Sequence, residues 1–369
     1  MDKQTLGRRL AEVREEAGVT QEALGRAVGL DRTAITRLEV GQRSLSVPEL
    51  AAIADVLHRP LTYFVTAPVP AVVSRRRDHA RAHDSARSLD LELEEFAMDV
   101  RTLTEMRLLP KVDRNPTART PRDHVEAERL AQDVRASLDL GQDPLGDLGE
   151  VCGRLGLMVY AASLGANGPD GGCVDVTEAA ESLGAAVVNG QMPPGRRRMT
   201  LVHELGHWLC GDAYDDNASG EAERMINSFA IHFLAPRAGV ESLWRQGADG
   251  SVRDRALRTA ASFRLSWSAA VSQLRNLGLL DTREHDVLSA DEPRRGDYLR
   301  LGIFWREELA SPYLAPQFAA ACLNGYTEGR LTAERVVELL RGTVGPEELP
   351  ETEAVTLDSL RRAFAGHDD

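Results

Sequence analysis

Arg198-Met199-Thr200-Leu201-Val202-His203-Glu204-Leu205-Gly206-His207 is the stretch on which the reading of this chain turns. His203 and His207 stand four residues apart, so on a helix their imidazoles share one face and both reach a single tetrahedral metal. Glu204 flanks that metal, where a carboxylate takes a proton from a metal-bound water and later delivers it to a leaving amine. Leu201, Val202, Leu205, Trp208 and Leu209 wrap the same helix in apolar surface. Two uncoordinated histidines beside a glutamate would be an expensive arrangement there.

A third ligand must come from elsewhere. Cys210 shares the histidine face, but it begins about 4.5 Å beyond His207 along the helix axis with too short a stem to return. Glu223 is better placed, past a polar loop holding Asp212, Asp215, Asp216 and Asn217 and inside the next apolar-periodic helix. Glu221 and Asp216 compete for the role. Asn227 lies one turn beyond Glu223, where its amide would accept a hydrogen bond from the outer nitrogen of a ligating histidine. His232 is about half a turn round from Glu223 and faces away from the metal.

The pattern matches the zincin peptidases and is gluzincin-like. Together with Glu223-Arg224-Met225-Ile226-Asn227-Ser228-Phe229-Ala230 and Leu234-Ala235-Pro236, it resembles the ImmA/IrrE family of metallopeptidases over about His124 to Leu280. That resemblance implies Zn2+ bound by His203, His207 and Glu223, with Glu204 as general base. It also implies a protein substrate, since members are implicated in cleaving repressors of the Xre type and so switching on stress-response or mobile-element genes. Ile226 stands where the family commonly has alanine, and Met225 where it often has an acid.

At the amino terminus, Thr20 is a good cap for a helix over Gln21 to Val28, Gly29 ends it, and Asp31 caps a second helix from Arg32 to about Val40. Leu24, Ala27, Val28, Ile35 and Leu38 supply the apolar seam, leaving Arg32, Thr33, Thr36 and Arg37 outward on the second helix, as suits a major groove. Thr20 to Leu24 and Ile35 to Arg43 resemble the Xre/Cro repressors. The resemblance implies base contacts from Arg32, Thr33 and Thr36, and phosphate contacts from Gln21 and Arg43.

The formal net charge of −13 argues against a chain that coats nucleic acid indiscriminately, so contact with double-stranded DNA is expected to be local. Nine basic residues balance nine acidic ones between Met1 and Val65. An isolated copy of that segment should therefore bind weakly. A homodimer, or the run Arg75-Arg76-Arg77 with Arg81 and Arg87 lying on phosphates, would strengthen binding. The first ten residues have no apolar segment, and no later stretch approaches a membrane span of roughly 18 apolar residues, so a cytoplasmic chain with no membrane partner is expected. Cys152, Cys173, Cys210 and Cys322 have no paired spacing and read as buried thiols.

At 369 residues the chain exceeds what one core usually serves. The expected class is α+β, an all-helical helix-turn-helix domain followed by a helix-dominated zincin-like domain with a small β-sheet. We place the helix-turn-helix domain at 1–66, a Pro- and Arg-containing linker with a helix over Leu89 to Leu108 at 67–123, the zincin-like domain at 124–280, and a helical carboxy-terminal region at 281–369. Strands are expected at Leu157 to Ala161, Val174 to Val176 and Ala185 to Asn189, the last as an exposed edge for an extended substrate. Nearly everything after Arg198 reads as helix. The sum is a DNA-binding regulator with a zinc endopeptidase domain. A catalytically silent zincin-fold sensor that moves the helix-turn-helix, or a toxin–antitoxin component, are the competing readings, and an intact Glu204 favours the enzyme.

Overall fold

Local capping decides the amino-terminal unit. After α1 (Lys3–Glu16), the Thr20 side chain accepts the Ala23 N–H to start α2 (Gln21–Val28), and Gly29 ends that helix in the left-handed conformation at φ 72°. The Asp31 side chain accepts the Ala34 N–H to start α3 (Arg32–Glu39). Ser46 and Glu49 then form a reciprocal capping box on α4 (Val47–Val56), and α5 (Leu61–Val65) follows. Leu10, Val13, Leu24, Ile35, Leu38 and Ile53 form the core between them. Ala27, expected in the seam, faces solvent, because Leu24 and the half-buried Val28 already fill it.

These features come from a computed structural model, which describes residues 2–57, 59, 61–65, 83–110, 112, 119–176, 183–211, 220–247, 250–304 and 307–351. The prolines at 68 and 70, the arginine run, the acidic loop after α9 and the chain beyond 351 lie outside the described residues, as does the side chain of Arg87.

In chain order come α6 (His83–Glu105), α7 (His124–Ser137), α8 (Leu148–Arg154), β1 (Leu157–Ala162), β2 (Gly171–Asp175), β3 (Gly184–Asn189), α9 (Pro194–Cys210) and α10 (Gly220–Leu234). Then follow α11 (Arg237–Gln246), α12 (Val252–Ser262), α13 (Trp267–Asn276), α14 (Thr282–Ala290), α15 (Arg295–Arg300), β4 (Tyr313–Leu314), α16 (Pro316–Thr327) and α17 (Ala333–Leu339). The strands form one mixed sheet in the order β2-β3-β1-β4, with β1 parallel to β3 and the other two pairings antiparallel.

Alternate strand residues serve two cores. Val159, Ala161, Cys173, Ala186 and Val188 face the side of Leu201, Leu205 and Trp208 on α9. Met158, Val174, Ala185 and Val187 face the side of Leu89, Leu93, Phe96 and Val100 on α6. Burial on both faces explains strands that read as continuous apolar runs rather than alternating ones.

Three expectations change here. The strand containing Ala185 to Asn189 is internal, and the edges are β2 and β4. Strand β2 begins at Gly171, earlier than expected, because its two glycines hide it from strand propensity. A Cβ at Gly171 would lie 2.7 Å from the Val187 carbonyl oxygen and 3.0 Å from the Thr200 methyl, so glycine is what lets α9 and β3 approach. Strand β4 interrupts a region that reads as helix. In addition, α6 and the segment carrying β4 and α16, assigned by sequence to a linker and a separate carboxy-terminal region, complete the sheet's own layers, since apolar residues of both pack into its core.

Candidate metal centre

Helix α9 opens on Pro194, where a missing N–H is harmless, and closes on Gly211 at φ 70°. Between these ends it is buried almost throughout, and His203, Glu204 and His207 are each at most 1% exposed. Helix α10 crosses it at Gly206. A Cβ there would stand 2.9 Å from the Phe229 ring and 3.0 Å from the Ile226 Cγ2, so the larger residue at 226 is tolerated because 206 carries no side chain.

That close crossing brings Glu223 to the histidines. The His203 and His207 Nε2 atoms are 3.0 Å apart, and the two Glu223 carboxylate oxygens lie 3.3 Å from His203 Nε2 and 3.3 Å from His207 Nε2 respectively. Bonds of about 2.0–2.1 Å to a tetrahedral ion would set ligand atoms roughly 3.3 Å apart. The three side chains form the one His/Cys/Asp/Glu cluster among the described residues with metal-binding spacing. Cys210 stands outside it and is half-buried, less enclosed than expected.

Asn227 fixes which imidazole nitrogen faces inward. Its Nδ2 donates to the Glu223 carbonyl oxygen at 2.9 Å, which turns Oδ1 toward His203 Nδ1 at 3.2 Å. An amide oxygen only accepts, so His203 carries its proton on Nδ1 and leaves the Nε2 lone pair pointing at His207 and Glu223. The inward His203 and His207 Nε2 atoms and the Glu223 carboxylate thus have the spacing of a tetrahedral ligand set, so the residues present fit a metal ion.

Glu204 lies outside this cluster. It is fully buried beside the Cys173 thiol, and burial pushes its carboxyl up. Below it the Cys173 thiol of β2 donates to the Glu204 backbone carbonyl at 3.4 Å. Sequence gave no sign of this contact, which depends on how the sheet meets α9. His232 faces elsewhere, with its Nδ1 3.3 Å from Gln273 Nε2.

On the amino-terminal unit, Arg32, Thr33, Thr36 and Arg37 are exposed along α3. Gln21 Nε2 donates to Glu39 Oε2 at 2.6 Å, and Thr36 Oγ1 donates to Gln21 Oε1 at 3.1 Å, so two of the expected DNA contacts brace one another. Glu39 is itself held by buried Arg14 at 2.5 Å. Arg43 stands apart from them in an ion pair with Glu49 at 2.6 Å.

Comparison with known proteins assigns two stretches. Residues 5–62 match the helix-turn-helix domain family, and residues 152–275 match the IrrE N-terminal-like domain. Neither the curated proteins nor the solved structures hold a match to the chain. The second match begins in α8 and ends in α13, and so contains the whole of the candidate metal-binding cluster and strands β1, β2 and β3. The chain therefore joins a helix-turn-helix DNA-binding domain to an IrrE-like domain of metallopeptidase type.

Proposed function

We propose that this chain is a DNA-binding regulator whose body is a zinc-dependent endopeptidase acting on a regulatory protein, such as a repressor of the Xre type. The observation that carries the reading is the meeting of His203, His207 and Glu223 beside a fully buried Glu204. A zinc ion held by the three ligands would supply Lewis acidity and a water of lowered pKa. The chain's residues do the rest. Glu204 takes a proton from the attacking water and returns it to the leaving amine nitrogen, and its burial suits it to hold that proton between the two events. Asn227 keeps His203 in the ligating tautomer. The substrate backbone docks in extended form along β2, the edge strand whose Cys173 touches Glu204. In the amino-terminal unit, Arg32, Thr33 and Thr36 read bases while Gln21 and Arg43 contact phosphates, Arg43 by exchanging its Glu49 partner. Among the described residues no helix is long and apolar enough to cross a membrane, which accords with a cytoplasmic setting.

The test is Glu204→Gln. The variant should keep its zinc, measured by metal analysis, while cleavage of Xre-type repressors by the zinc-loaded protein falls by about 10² to 10⁴-fold. Equal regulation of a target gene by both proteins in cells would establish the silent sensor instead.

A further inference from the structure

Helix α6 is buried on nearly every side from Leu91 to Thr104, yet it carries four carboxylates there: Glu92, Glu94, Glu95 and Asp99. A helix so placed can hold these charges only if each meets a cation. The cations arrive from both ends of the chain. Arg9 of α1, 2% exposed, reaches Glu94 at 2.7 Å and lies 4.2 Å over the Tyr63 ring, and the Tyr63 hydroxyl donates to the other Glu94 oxygen at 3.2 Å. Arg59, just before α5, pairs with Glu95 at 2.5 Å and Glu92 at 3.5 Å. From the carboxy-terminal side, Arg341 meets the same Glu92 and Glu95, each at 3.4 Å, and Asp99 at 2.7 Å, while Arg335 meets Asp99 at 2.7 Å.

Two features separate this from ordinary surface pairing. Glu92 and Glu95 are shared, so the amino-terminal and carboxy-terminal arginines neutralise one another's counter-charges. The contact is also largely buried. Tyr63 and Phe64 are wholly buried, and the core of the helix-turn-helix runs without a break into the α6 face of the sheet. Meanwhile α3 keeps Arg32, Thr33, Thr36 and Arg37 exposed, so docking through α1 and α5 leaves the reading helix open.

We propose that α6 is a charge-keyed latch: it locks the DNA-reading unit to the metal-site body as one cooperative unit, and breaking the Arg9 and Arg59 pairs releases the reader. Strands β2 and β3 lie between α6 and α9, so the latched reader is joined mechanically to the helix that carries His203 and His207. The inference goes beyond the peptidase reading and does not depend on it. It also assigns the α1/α5 face to the body, leaving any pairing of two copies to another surface.

Amide hydrogen exchange of the full chain, read by mass spectrometry, tests it. In the wild type, peptides covering residues 21–39 and those covering β1 and β3 should open together, with equal protection. In the double variant Arg9→Met/Arg59→Met, residues 21–39 should exchange at least about tenfold faster while β1 and β3 keep their protection, as expected when a buried charge loses its partner. Fluorescence of Trp208, Trp244 and Trp267, which all lie in the body, checks that the body stays folded. Glu94→Gln, which preserves shape but removes the charge, should shift the same peptides in the same direction. Should residues 21–39 already exchange tenfold faster than the strands in the wild type, or keep full protection in both variants, the reader is merely tethered and the latch is wrong.

Discussion

Asn227 shows how much one side chain outside the ligand set decides. Its amide is anchored to the Glu223 carbonyl and aimed at His203, so it couples the position of one proposed ligand to the tautomer of another. Asn227→Ala should therefore keep all three ligands yet weaken zinc binding by about 10 to 100-fold, measured by competition with a chromophoric chelator. Unchanged affinity would mean that packing alone orients His203. The i, i+4 histidines were legible because helix geometry is local, and Asn227 followed by the same logic along α10. The packing of Gly206 against Ile226 and Phe229 was not, since a glycine in a motif does not announce what crosses it.

Among the elements, the α7–α10 pair carries a pH dependence. His232 on α10 is buried, and burial lowers its pKa below the ordinary histidine value of 6.5. Arg237 and His124 push the same way and Glu128 opposes them. A depressed folded-state pKa means that the unfolded chain takes up the proton first. The stability His232 contributes is thus full above pH 6.5 and is lost as pH falls from there toward the folded value. Thermal unfolding midpoints should drop across that window. His232→Asn, whose amide oxygen can replace Nδ1 as acceptor from Gln273, should flatten the slope, and an unaltered slope would assign it to other groups. The helix-turn-helix elements were readable: α2 and α3 begin at side-chain caps written in the sequence. Strand β4, two residues long, has no pattern to read and exists because β1 offers it an edge.

Across the whole molecule, distant segments meet at Glu308. This buried carboxylate accepts from Arg198 on α9, from Arg264 in the α12–α13 turn at 2.8 Å, and from the Leu148 N–H at the start of α8 at 2.8 Å. Arg198 is 1% exposed, so Glu308→Ala would strand a buried cation five residues before His203. We expect a loss of about 3–5 kcal/mol in chemical unfolding, with Glu308→Gln losing less because the amide oxygen still accepts; a loss under about 1 kcal/mol would show that water replaces the carboxylate. Residues 307–351 lie beyond the IrrE-like match, yet they supply this anchor, β4 and two arginines of the α6 cluster. From its sequence alone this protein's two functional units, its helix-turn-helix caps and its histidine–glutamate motif could be derived, because each is a pattern repeating within one helix or one turn. Only the tertiary structure decided that β3 is internal, that α6 belongs to the sheet, and that both chain ends share the same carboxylates. Those facts depend on surfaces brought together from separate parts of the chain, Glu92 and Arg341 standing 249 residues apart, where no local periodicity carries the information.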